Sequence, residues 1–371
     1  MKPKKKRIGV LGRSGGDQQR VKPLINIAKM LQDDFELDLI INSKKINPEL
    51  LNLYNIKNYV KFKVTGTSYV RLFFNDLINL YRYSRKEKPD ILFQYTNPFV
   101  QGPALAIMAR LLRIKSVTRF SGSTFDLYKF RKGLIKPLSY VSNKWLMRFM
   151  FLADKMMVLG EDQKKEAIRN GCNPKKIVVL PQPVDEINFY PARFRDQAKK
   201  RLNINKDLRV ILWVGNLKDY KGLDTIKNLI RAVNAKKQSK KWIFVVIGKD
   251  FDKNASKLQR LGSNVRYEGT VQNEKMYKYY QAADILLHTS FVEASIPNTI
   301  WEALACGTPC IGRDMRDIKK VADAVFKTDE ELIRLVLKKG WKASSKSKVP
   351  KEYQWETLKK RYIHLFNEAV K

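Results

Sequence analysis

Two lysines stand in a turn-like stretch in the second half of the chain. Lys218 and Lys221 lie within residues 214–222, which follow an apolar run, end at Gly222 and precede a helical pattern. Ammonium groups at a strand-to-helix turn neutralise a diphosphate, and the start of a helix also favours an anion. Exposed lysines are commonly only solvated. This lysine stretch therefore fits either a phosphate site or a solvated turn.

A second polar stretch, at residues 293–309, contains two glutamates. Glu293 lies in a loop after an apolar run, and Glu302 lies on the predicted helix that follows. Carboxylates accept paired hydrogen bonds from the vicinal hydroxyls of ribose or hexose. Between them, Asn298 and Thr299 present backbone amides at the helix start, where anions bind. This acidic stretch fits a sugar-phosphate ligand, although Glu302 as a simple helix cap or ion-pair partner fits equally.

A glycine stretch follows the first apolar run of the chain, at residues 12–16. Its members Gly15 and Gly16 precede a helical pattern that starts near Arg20. Glycines let backbone amides approach a phosphate closely. The stretch lacks the Gly-Lys-Ser/Thr of a P-loop and does not fit the GxGxxG pattern. It therefore predicts a phosphate contact or a simple tight turn.

Short apolar runs alternate with longer amphipathic ones along the chain. This alternation is typical of parallel sheets with crossover helices, which bind ligands at the carboxyl ends of their strands. The three stretches described above all follow predicted strands. We predict strands at residues 8–11, 37–41, 91–93, 116–119, 155–158, 177–180, 210–214, 242–247, 265–267, 285–288 and 310–311, and helices at 21–31, 103–112, 222–235, 276–283 and 353–370.

The chain reads as two similar α/β halves that face each other across a ligand-binding cleft. Residues 180–185 contain two prolines, which continue neither a helix nor a central strand, so we place the junction there. We expect a first domain at residues 1–184, a second at 185–350 and a C-terminal helix at 351–371.

The chain has 371 residues and a formal net charge of +37. Such an excess indicates an anionic partner, although a solvated lysine-rich surface also explains it. No stretch of about 18 residues is apolar and uncharged, so we expect no transmembrane helix. The cysteines Cys172, Cys306 and Cys310 form no disulfide or metal pattern, which fits a reducing cytoplasm.

Basic and bulky apolar side chains are mixed between residues 128 and 151. Basic side chains near anionic lipid contribute about 1 kcal/mol each, and aromatic side chains insert at the interface. The pattern predicts a peripheral membrane contact, while a core helix with basic flanks explains it equally well. The membrane-facing candidates are Lys132, Lys136, Lys144, Trp145 and Arg148.

The glycine, lysine and acidic stretches, in this order along the chain, resemble the GT-B glycosyltransferases of the large retaining family 4. Residues 214–222 resemble that family's Gly-Arg-Leu-x-x-x-Lys-Gly motif, and residues 293–309 resemble its acidic pair followed by Glu-Ala-x-Ala-x-Gly-x-Pro. The resemblance covers most of residues 8–312. It implies an α/β fold of two Rossmann-like domains facing across a cleft, with the C-terminal helix returning to the first domain.

The resemblance also implies roles for individual residues. Lys221 would hold the donor diphosphate, Glu293 would contact the transferred sugar, and Glu302 would bind the ribose of the nucleotide. The remaining donor contacts would come from the backbone near Val271 beside the base, from the amides around Asn298 and Thr299, and from Gly15 and Gly16 in the opposite domain.

Three departures separate this chain from the family pattern. Asn216 replaces the family's arginine at the diphosphate, and Lys218 is the candidate substitute. The acidic pair has eight intervening residues instead of the usual seven. The histidine that many members carry in the first domain is missing, because Phe120 or Ser121 stands at its place. The predicted acceptor-side residues are Ser121, Gly122 and Ser123.

Retaining transfer of this type needs no protein base, because the leaving phosphate oxygen takes the acceptor proton. The protein must instead stabilise the departing diphosphate, which Lys221, a helix start and loop amides accomplish without a metal. We therefore expect no metal and no cofactor. One motif argues otherwise: Asp250 and Asp252 follow a predicted strand as the metal-binding Asp-x-Asp of GT-A transferases does, although loop aspartates are common.

These observations predict a retaining glycosyltransferase that uses a UDP-, GDP- or ADP-sugar. Its acceptor would be a lipid-linked or cell-surface glycan precursor, and the protein would be cytoplasmic, attached peripherally to the inner face of the plasma membrane. Two alternatives stay open: a GT-B sugar-nucleotide epimerase or phosphorylase, and a degenerate protein that binds anionic lipid or nucleic acid. Because no RNA-binding or helix-turn-helix pattern is present, we expect no nucleic-acid partner.

Overall fold

The chain divides into two compact units. A computed structural model describes residues 5–12, 18–42, 59–62, 69–121, 125, 133, 135–236, 239–293, 295–337 and 340–370. The first unit comprises Met1–Pro183 together with Glu356–Lys371, and the second comprises Val184–Trp355. Each unit contains one parallel sheet, which confirms the predicted α/β fold class.

All the strand pairs in both sheets are parallel. The first sheet has the order β3-β2-β1-β4-β5-β6-β7, and the second has the order β10-β9-β8-β11-β12-β13. Helices cover both faces of such sheets, so the central strands are almost continuously apolar. The strands are β1 (Arg7–Gly12), β2 (Glu36–Asn42), β3 (Tyr59–Phe62), β4 (Ile91–Gln94), β5 (Lys115–Phe120), β6 (Lys155–Val158), β7 (Ile177–Val179), β8 (Arg209–Val214), β9 (Trp242–Ile247), β10 (Val265–Tyr267), β11 (Ile285–His288), β12 (Cys310–Arg313) and β13 (Ala324–Phe326).

Helices connect successive strands by crossovers. Among the described helices, none is long and apolar enough to cross a membrane. A 3₁₀ helix at Leu146–Leu152 follows α4 directly. The α-helices are α1 (Gln18–Leu31), α2 (Tyr69–Glu87), α3 (Gln101–Leu112), α4 (Ile135–Lys144), α5 (Glu161–Arg169), α6 (Arg195–Lys200), α7 (Leu223–Asn234), α8 (Asn254–Gln259), α9 (Asn273–Ala282), α10 (Asn298–Ala305), α11 (Asp329–Leu337) and α12 (Trp355–Val370).

The strand order places α2, α3, α4 and the 3₁₀ helix on one face of the first sheet. The connections β3 to β4, β4 to β5 and β5 to β6 all advance in the same direction across the sheet, and right-handed crossovers put their helices on the same side. In addition, α2 packs against α3, and α3 packs against the 3₁₀ helix. The connection β1 to β2 runs the opposite way, so α1 covers the other face.

The C-terminal helix α12 packs within the first unit, against residues that are far from it in the sequence. The buried ring of Phe366 lies 5.9 Å from the ring of Phe35 and 5.1 Å from that of Phe93, both in edge-to-face geometry. The hydroxyl of Tyr362 donates to the carbonyl oxygen of Pro181 at 3.2 Å. These contacts join α12 to β4 and to Pro181, near the end of the segment Met1–Pro183 of the same unit.

Seven of these strands and α-helices have no counterpart among the predicted ones: β3, β13, α2, α5, α6, α8 and α11. The strands β3 and β13 have only four and three residues, too few to show a period. The helix α2 has apolar side chains on two faces: Leu72 and Leu80 are buried, whereas Val70, Phe74 and Ile78 are exposed. This double apolar pattern blurs the single stripe by which an amphipathic helix is recognised.

Replacing Phe366 by Ala should lower the free energy of unfolding by about 3–5 kcal/mol, because it leaves a cavity between two aromatic rings. Urea denaturation followed by fluorescence measures the change. His364 on the same helix supplies the control, and His364→Ala should shift the free energy by no more than about 0.5 kcal/mol. Equal effects of the two changes would contradict this packing.

Candidate functional site

The turn after β8 passes close to the end of β11, its neighbour in the second sheet. Gly222 has a φ of +80°, and a Cβ atom there would lie 2.3 Å from the carbonyl oxygen of Thr289. Only glycine allows this approach. The hydroxyl of Thr289 donates to the carbonyl oxygen of Lys221 at 2.8 Å and accepts from Nε1 of Trp213 at 2.9 Å. These contacts hold the backbone of Lys221 beside the carboxyl end of β11.

The predicted diphosphate contact, Lys221, forms an ion pair with the predicted sugar contact, Glu293. Nζ of Lys221 lies 2.6 Å from Oε1 of Glu293, and their side chains are 25% and 15% exposed. A pair shielded from water to this extent attracts more strongly than one on an open surface. The structure thus brings together a cation from the lysine stretch and a carboxylate from the acidic stretch, despite the longer spacing of the acidic pair.

His288 lies beside this ion pair at the end of β11. Its Nε2 is 3.5 Å from Oε1 of Glu293, and the residue is 6% exposed. Burial lowers the pKa of His288 to about 4, although the Glu293 carboxylate acts in the opposite direction. The imidazole is therefore neutral near pH 7 and adds no positive charge next to Lys221.

Glu302 is held on α10 by side chains of α9. Its Oε2 accepts a hydrogen bond from the hydroxyl of Tyr280 at 2.8 Å, and its Oε1 accepts one from Nδ2 of Asn273 at 3.3 Å. Burial, and then the nearby Glu302 charge, raise the pKa of Tyr280 well above its ordinary value, so the hydroxyl remains a donor. Both contacts come from another helix. Glu302 is therefore oriented by these donors and is not positioned as a cap of its own helix.

The helix α10 begins at Asn298, one of the predicted phosphate contacts. Asn298 is exposed and Thr299 is half-buried. The residue before them, Pro297, provides no side-chain cap. The backbone amides of Asn298 and Thr299 lie in the first turn of α10, where amides have no acceptor within the helix and can donate to a ligand. Val271, the predicted neighbour of the base, is half-buried against the core of the second unit.

The structure directs Lys218 away from the Lys221 ion pair. Its ammonium lies 4.3 Å from the ring centroid of Phe251, where Lys249 also approaches, at 4.9 Å. Asn216 is exposed in the same turn. The lysine stretch therefore places Lys221, and not Lys218, next to Glu293.

The Asp-x-Asp motif at residues 250–252 caps a helix. The two carboxylate oxygens of Asp250 accept hydrogen bonds from the amides of Asn254 and Ala255, both at 2.9 Å. Burial acts to raise the pKa of Asp250, but these hydrogen bonds outweigh it and lower that pKa. Within the described ranges, no group of three His, Cys, Asp or Glu side chains is arranged to hold a metal ion.

Several predicted residues of the first unit lie outside the described residues. Ser121 is described and is half-buried directly after β5. The backbone of Lys136 belongs to α4, but its side chain is outside the described part. The residues that lie wholly outside are Gly15, Gly16, Gly122, Ser123 and Lys132.

Two arginines at strand ends are not among the residues that were predicted from the sequence. Arg119 lies near the carboxyl end of β5, where its guanidinium donates to the carbonyl oxygen of Tyr95 at 3.0 Å and to Oε1 of Gln182 at 3.1 Å. Arg313, at the end of β12, donates to the carbonyl oxygen of Thr289 at 3.1 Å. A basic residue inside an apolar strand was the available signal, and the high lysine and arginine content obscured it.

In the described part of the predicted membrane-facing segment, several apolar side chains are exposed. Trp145 is 61% exposed, and the guanidinium of Arg148 lies 5.7 Å from its ring centroid. Lys144 is half-buried, with Nζ 3.4 Å from Oδ1 of Asn170. In the 3₁₀ helix only Met147 and Met150 are buried. This segment is therefore a surface element and not the core helix that the sequence also allowed.

Two family models match the chain. The model described as Glycosyl transferases group 1 matches residues 194–327, within the second unit. The model described as Glycosyltransferase Family 4 matches residues 24–186, almost entirely within the first unit. Together they cover the second sheet, the strands of the first sheet from β2 onward, and the ion pair of Lys221 and Glu293.

Similar proteins and structures agree with these matches. An uncharacterised glycosyltransferase of Methanocaldococcus jannaschii is 25% identical over 341 residues, covering 85% of this chain and 82% of that protein. A D-inositol 3-phosphate glycosyltransferase of Kineococcus radiotolerans is 29% identical over 174 residues, 43% of this chain and 39% of that protein. The crystal structure of Anabaena HepE with UDP and glucose has a TM-score of 0.74 at 15% identity, over 98% of this chain and 100% of that one, and shows the same fold.

Replacing Gly222 by Ala should destabilise the second unit by about 2–4 kcal/mol, because it adds a clash with Thr289 to the strain of a positive φ. Gly269 is the matched control: its φ is +70°, but the space that a Cβ atom would enter there is open to a distance of 4 Å. Gly269→Ala should therefore cost only the backbone strain, about 1 kcal/mol. Urea unfolding of both variants measures the difference, and equal losses would refute the close approach.

Proposed function

Since this chain is a glycosyltransferase of the GT-B kind, we propose that it transfers a sugar, with retention of configuration, from a nucleoside diphosphate sugar to an acceptor. The resemblance of the three polar stretches predicted a GT-B fold and a glycosyltransferase activity, and both are confirmed. The observation that carries the finer proposal is the ion pair of Lys221 and Glu293, which lies where two adjacent parallel strands end.

Lys221 is the proposed partner of the donor diphosphate. Its backbone is already fixed near the carboxyl edge of the sheet by the contact with Thr289. A diphosphate competes with Glu293 for the Lys221 ammonium, and the displaced carboxylate becomes an acceptor for hydroxyls of the sugar. As the glycosidic bond to the phosphate breaks, negative charge grows on the leaving diphosphate and strengthens its attraction to Lys221.

Glu302 is the proposed ribose ligand. Its Oε2 accepts a hydrogen bond from Tyr280 and its Oε1 accepts one from Asn273. These donors fix the orientation of the carboxylate plane, and a carboxylate held in one orientation is suited to accept paired hydrogen bonds from two vicinal hydroxyls. The amides of Asn298 and Thr299, on the same helix, are the proposed additional phosphate donors.

The proposed mechanism requires no metal, no other cofactor and no protein base. Asp250 is used as a helix cap, and the neutral His288 faces Glu293. Front-face attack by the acceptor hydroxyl passes its proton to the leaving phosphate oxygen, and Lys221 stabilises that oxygen. Because the structure of Anabaena HepE contains UDP and glucose, UDP-sugars are the first donors to test, followed by GDP- and ADP-sugars.

The proposed acceptor is a lipid-linked or cell-surface glycan precursor at the cytoplasmic face of the plasma membrane. The exposed Trp145 and Arg148 and the net charge of +37 support peripheral attachment to an anionic membrane. Attachment brings the enzyme to an acceptor confined to the bilayer surface. Acceptor contacts are assigned to the end of β5, near Ser121.

A thermal-shift screen with nucleotide sugars tests donor binding. One nucleotide class should raise the melting temperature, since a ligand at 100 times its Kd stabilises by about 2.7 kcal/mol. Lys221→Ala and Glu302→Ala should abolish the shift, because each removes a charged donor contact. Lys227→Ala is the control, because Lys227 lies on α7 and pairs with Asp224 on the same helix. Unchanged shifts in the first two variants would exclude this donor site.

The anomeric configuration of the transferred sugar tests retention. With the donor identified by the screen, NMR of the earliest product should show the same anomer as the donor. The initial rate should be unchanged by EDTA, because the diphosphate charge is met by Lys221 and helix amides. An inverted product would contradict front-face transfer, and a rate that vanishes with EDTA and returns with Mg²⁺ or Mn²⁺ would contradict the metal-free mechanism.

A further inference from the structure

The exposed apolar side chains of the first unit are concentrated on one helical layer, and we propose that this layer docks on an anionic phospholipid surface. The layer consists of α2, α3 and residues 135–152, which comprise α4, Trp145 and the 3₁₀ helix Leu146–Leu152. The inference rests on the membrane attachment of the proposed function and extends it to α2. Of the 19 exposed large apolar residues in the described structure, 11 belong to this layer: Val70, Phe74, Ile78, Tyr81, Leu111, Tyr140, Val141, Trp145, Leu146, Phe149 and Leu152.

The helix α2 carries an apolar stripe on its outer side. Val70, Phe74, Ile78 and Tyr81 are between 48% and 64% exposed. Their spacing of four, four and three residues puts them on one face of a helix. The opposite face is buried in the unit through residues such as Leu72. An apolar face that remains in water in addition to the packed face indicates a binding surface.

The stripe and the predicted membrane segment belong to the same surface layer. The helix α3 packs against α2 on one side and against the 3₁₀ helix on the other, and the 3₁₀ helix packs against α4. All four elements lie on the same face of the sheet. Apolar side chains that are about 70 residues apart in sequence, such as Phe74 and Trp145, therefore project from one layer.

The charge of the layer selects an anionic partner. Its four helices contain only two acidic residues: Asp76, which is 1% exposed, and Glu87, which pairs with Arg7 at 2.9 Å. Basic side chains stand beside the apolar ones and reach lipid phosphates while the apolar groups enter the interface. The exposed basic residues are Arg71, Arg82, Arg85, Lys86, Arg110 and Arg148.

A membrane fits this surface better than a nucleic acid does. Nucleic-acid binding is dominated by contacts between basic side chains and phosphates. It gives no reason for aliphatic groups such as Val70, Leu111 and Leu146 to interleave with those charges. At a bilayer interface the same groups leave water, and Trp145 beside Arg148 matches the preference of aromatic side chains for the headgroup region.

Vesicle co-sedimentation tests the apolar stripe. Wild-type protein should bind vesicles of phosphatidylglycerol and phosphatidylcholine at low salt, and bind pure phosphatidylcholine weakly. Phe74→Ser with Ile78→Ser should weaken binding about tenfold or more, because the stripe loses its bulkiest centre. The control is Ile187→Ser with Phe194→Ser, two exposed apolar residues of the second unit. Equal binding of the stripe variant and wild type, or an equal loss in the control, would overturn the proposal.

A charge variant tests the electrostatic part. Arg82→Gln with Arg85→Gln should weaken binding to the anionic vesicles about fivefold per arginine at low salt, and less at high salt. Lys240→Gln with Lys241→Gln is the matched control, from exposed positions of the second unit. Equal losses in both variants would show a non-specific charge effect and refute the assignment. The assignment would also be refuted if the Arg82→Gln with Arg85→Gln variant bound vesicles normally but no longer bound an RNA oligonucleotide.

The same samples separate this proposal from the transfer reaction. The donor-induced thermal shift should be unchanged in the stripe and charge variants, because their substitutions are all in the first unit and Lys221 is in the second. A protein that binds anionic vesicles through this layer but is not stabilised by any nucleotide sugar would uphold the docking surface and refute the donor site. The reverse result would refute the docking surface alone.

Discussion

The close approach of two backbones at Gly222 and Thr289 determines the arrangement of the candidate site. Because Gly222 has no side chain, the turn after β8 reaches the end of β11, and the Thr289 hydroxyl bonds to the carbonyl oxygen of Lys221. The ammonium of Lys221 is thereby placed within 2.6 Å of the Glu293 carboxylate. A larger residue at position 222 would separate the two strand ends and with them the two charges.

The imidazole of His288, beside the ion pair, is neutral because it is buried. A positively charged imidazole would compete with Lys221 for Glu293 in a buried setting, where an uncompensated charge is costly. Burial lowers the pKa of His288, so the imidazole is neutral near pH 7 and does not compete with Lys221. Lys221 is therefore the cation that pairs with this carboxylate. In the proposed exchange a diphosphate takes the Lys221 ammonium, and the released Glu293 carboxylate accepts hydrogen bonds from hydroxyls of the sugar instead.

Each unit contains a parallel sheet, but the distinctive side chains of the two units lie at different places on that architecture. In the second unit, polar side chains converge on the carboxyl ends of adjacent strands, as expected of a site that binds a charged small molecule. In the first unit, the distinctive feature is the outside of a helical layer, where apolar and basic side chains are mixed and acidic ones are buried or paired. The proposed nucleotide-sugar donor and the proposed acceptor at a membrane surface would place these different demands on the two units.

The sequence by itself determined the α/β class, the strands at residues 155–158, 242–247, 265–267 and 285–288, and the residue types of the candidate site. Such features follow from local periodicity and from motifs that are contiguous in the chain. Only the tertiary structure decided that Lys221 meets Glu293, 72 positions away, that Lys218 turns to Phe251, and that α2 exposes a second apolar face. These depend on which strands become neighbours and on which side of a helix is covered, and no local pattern contains that information.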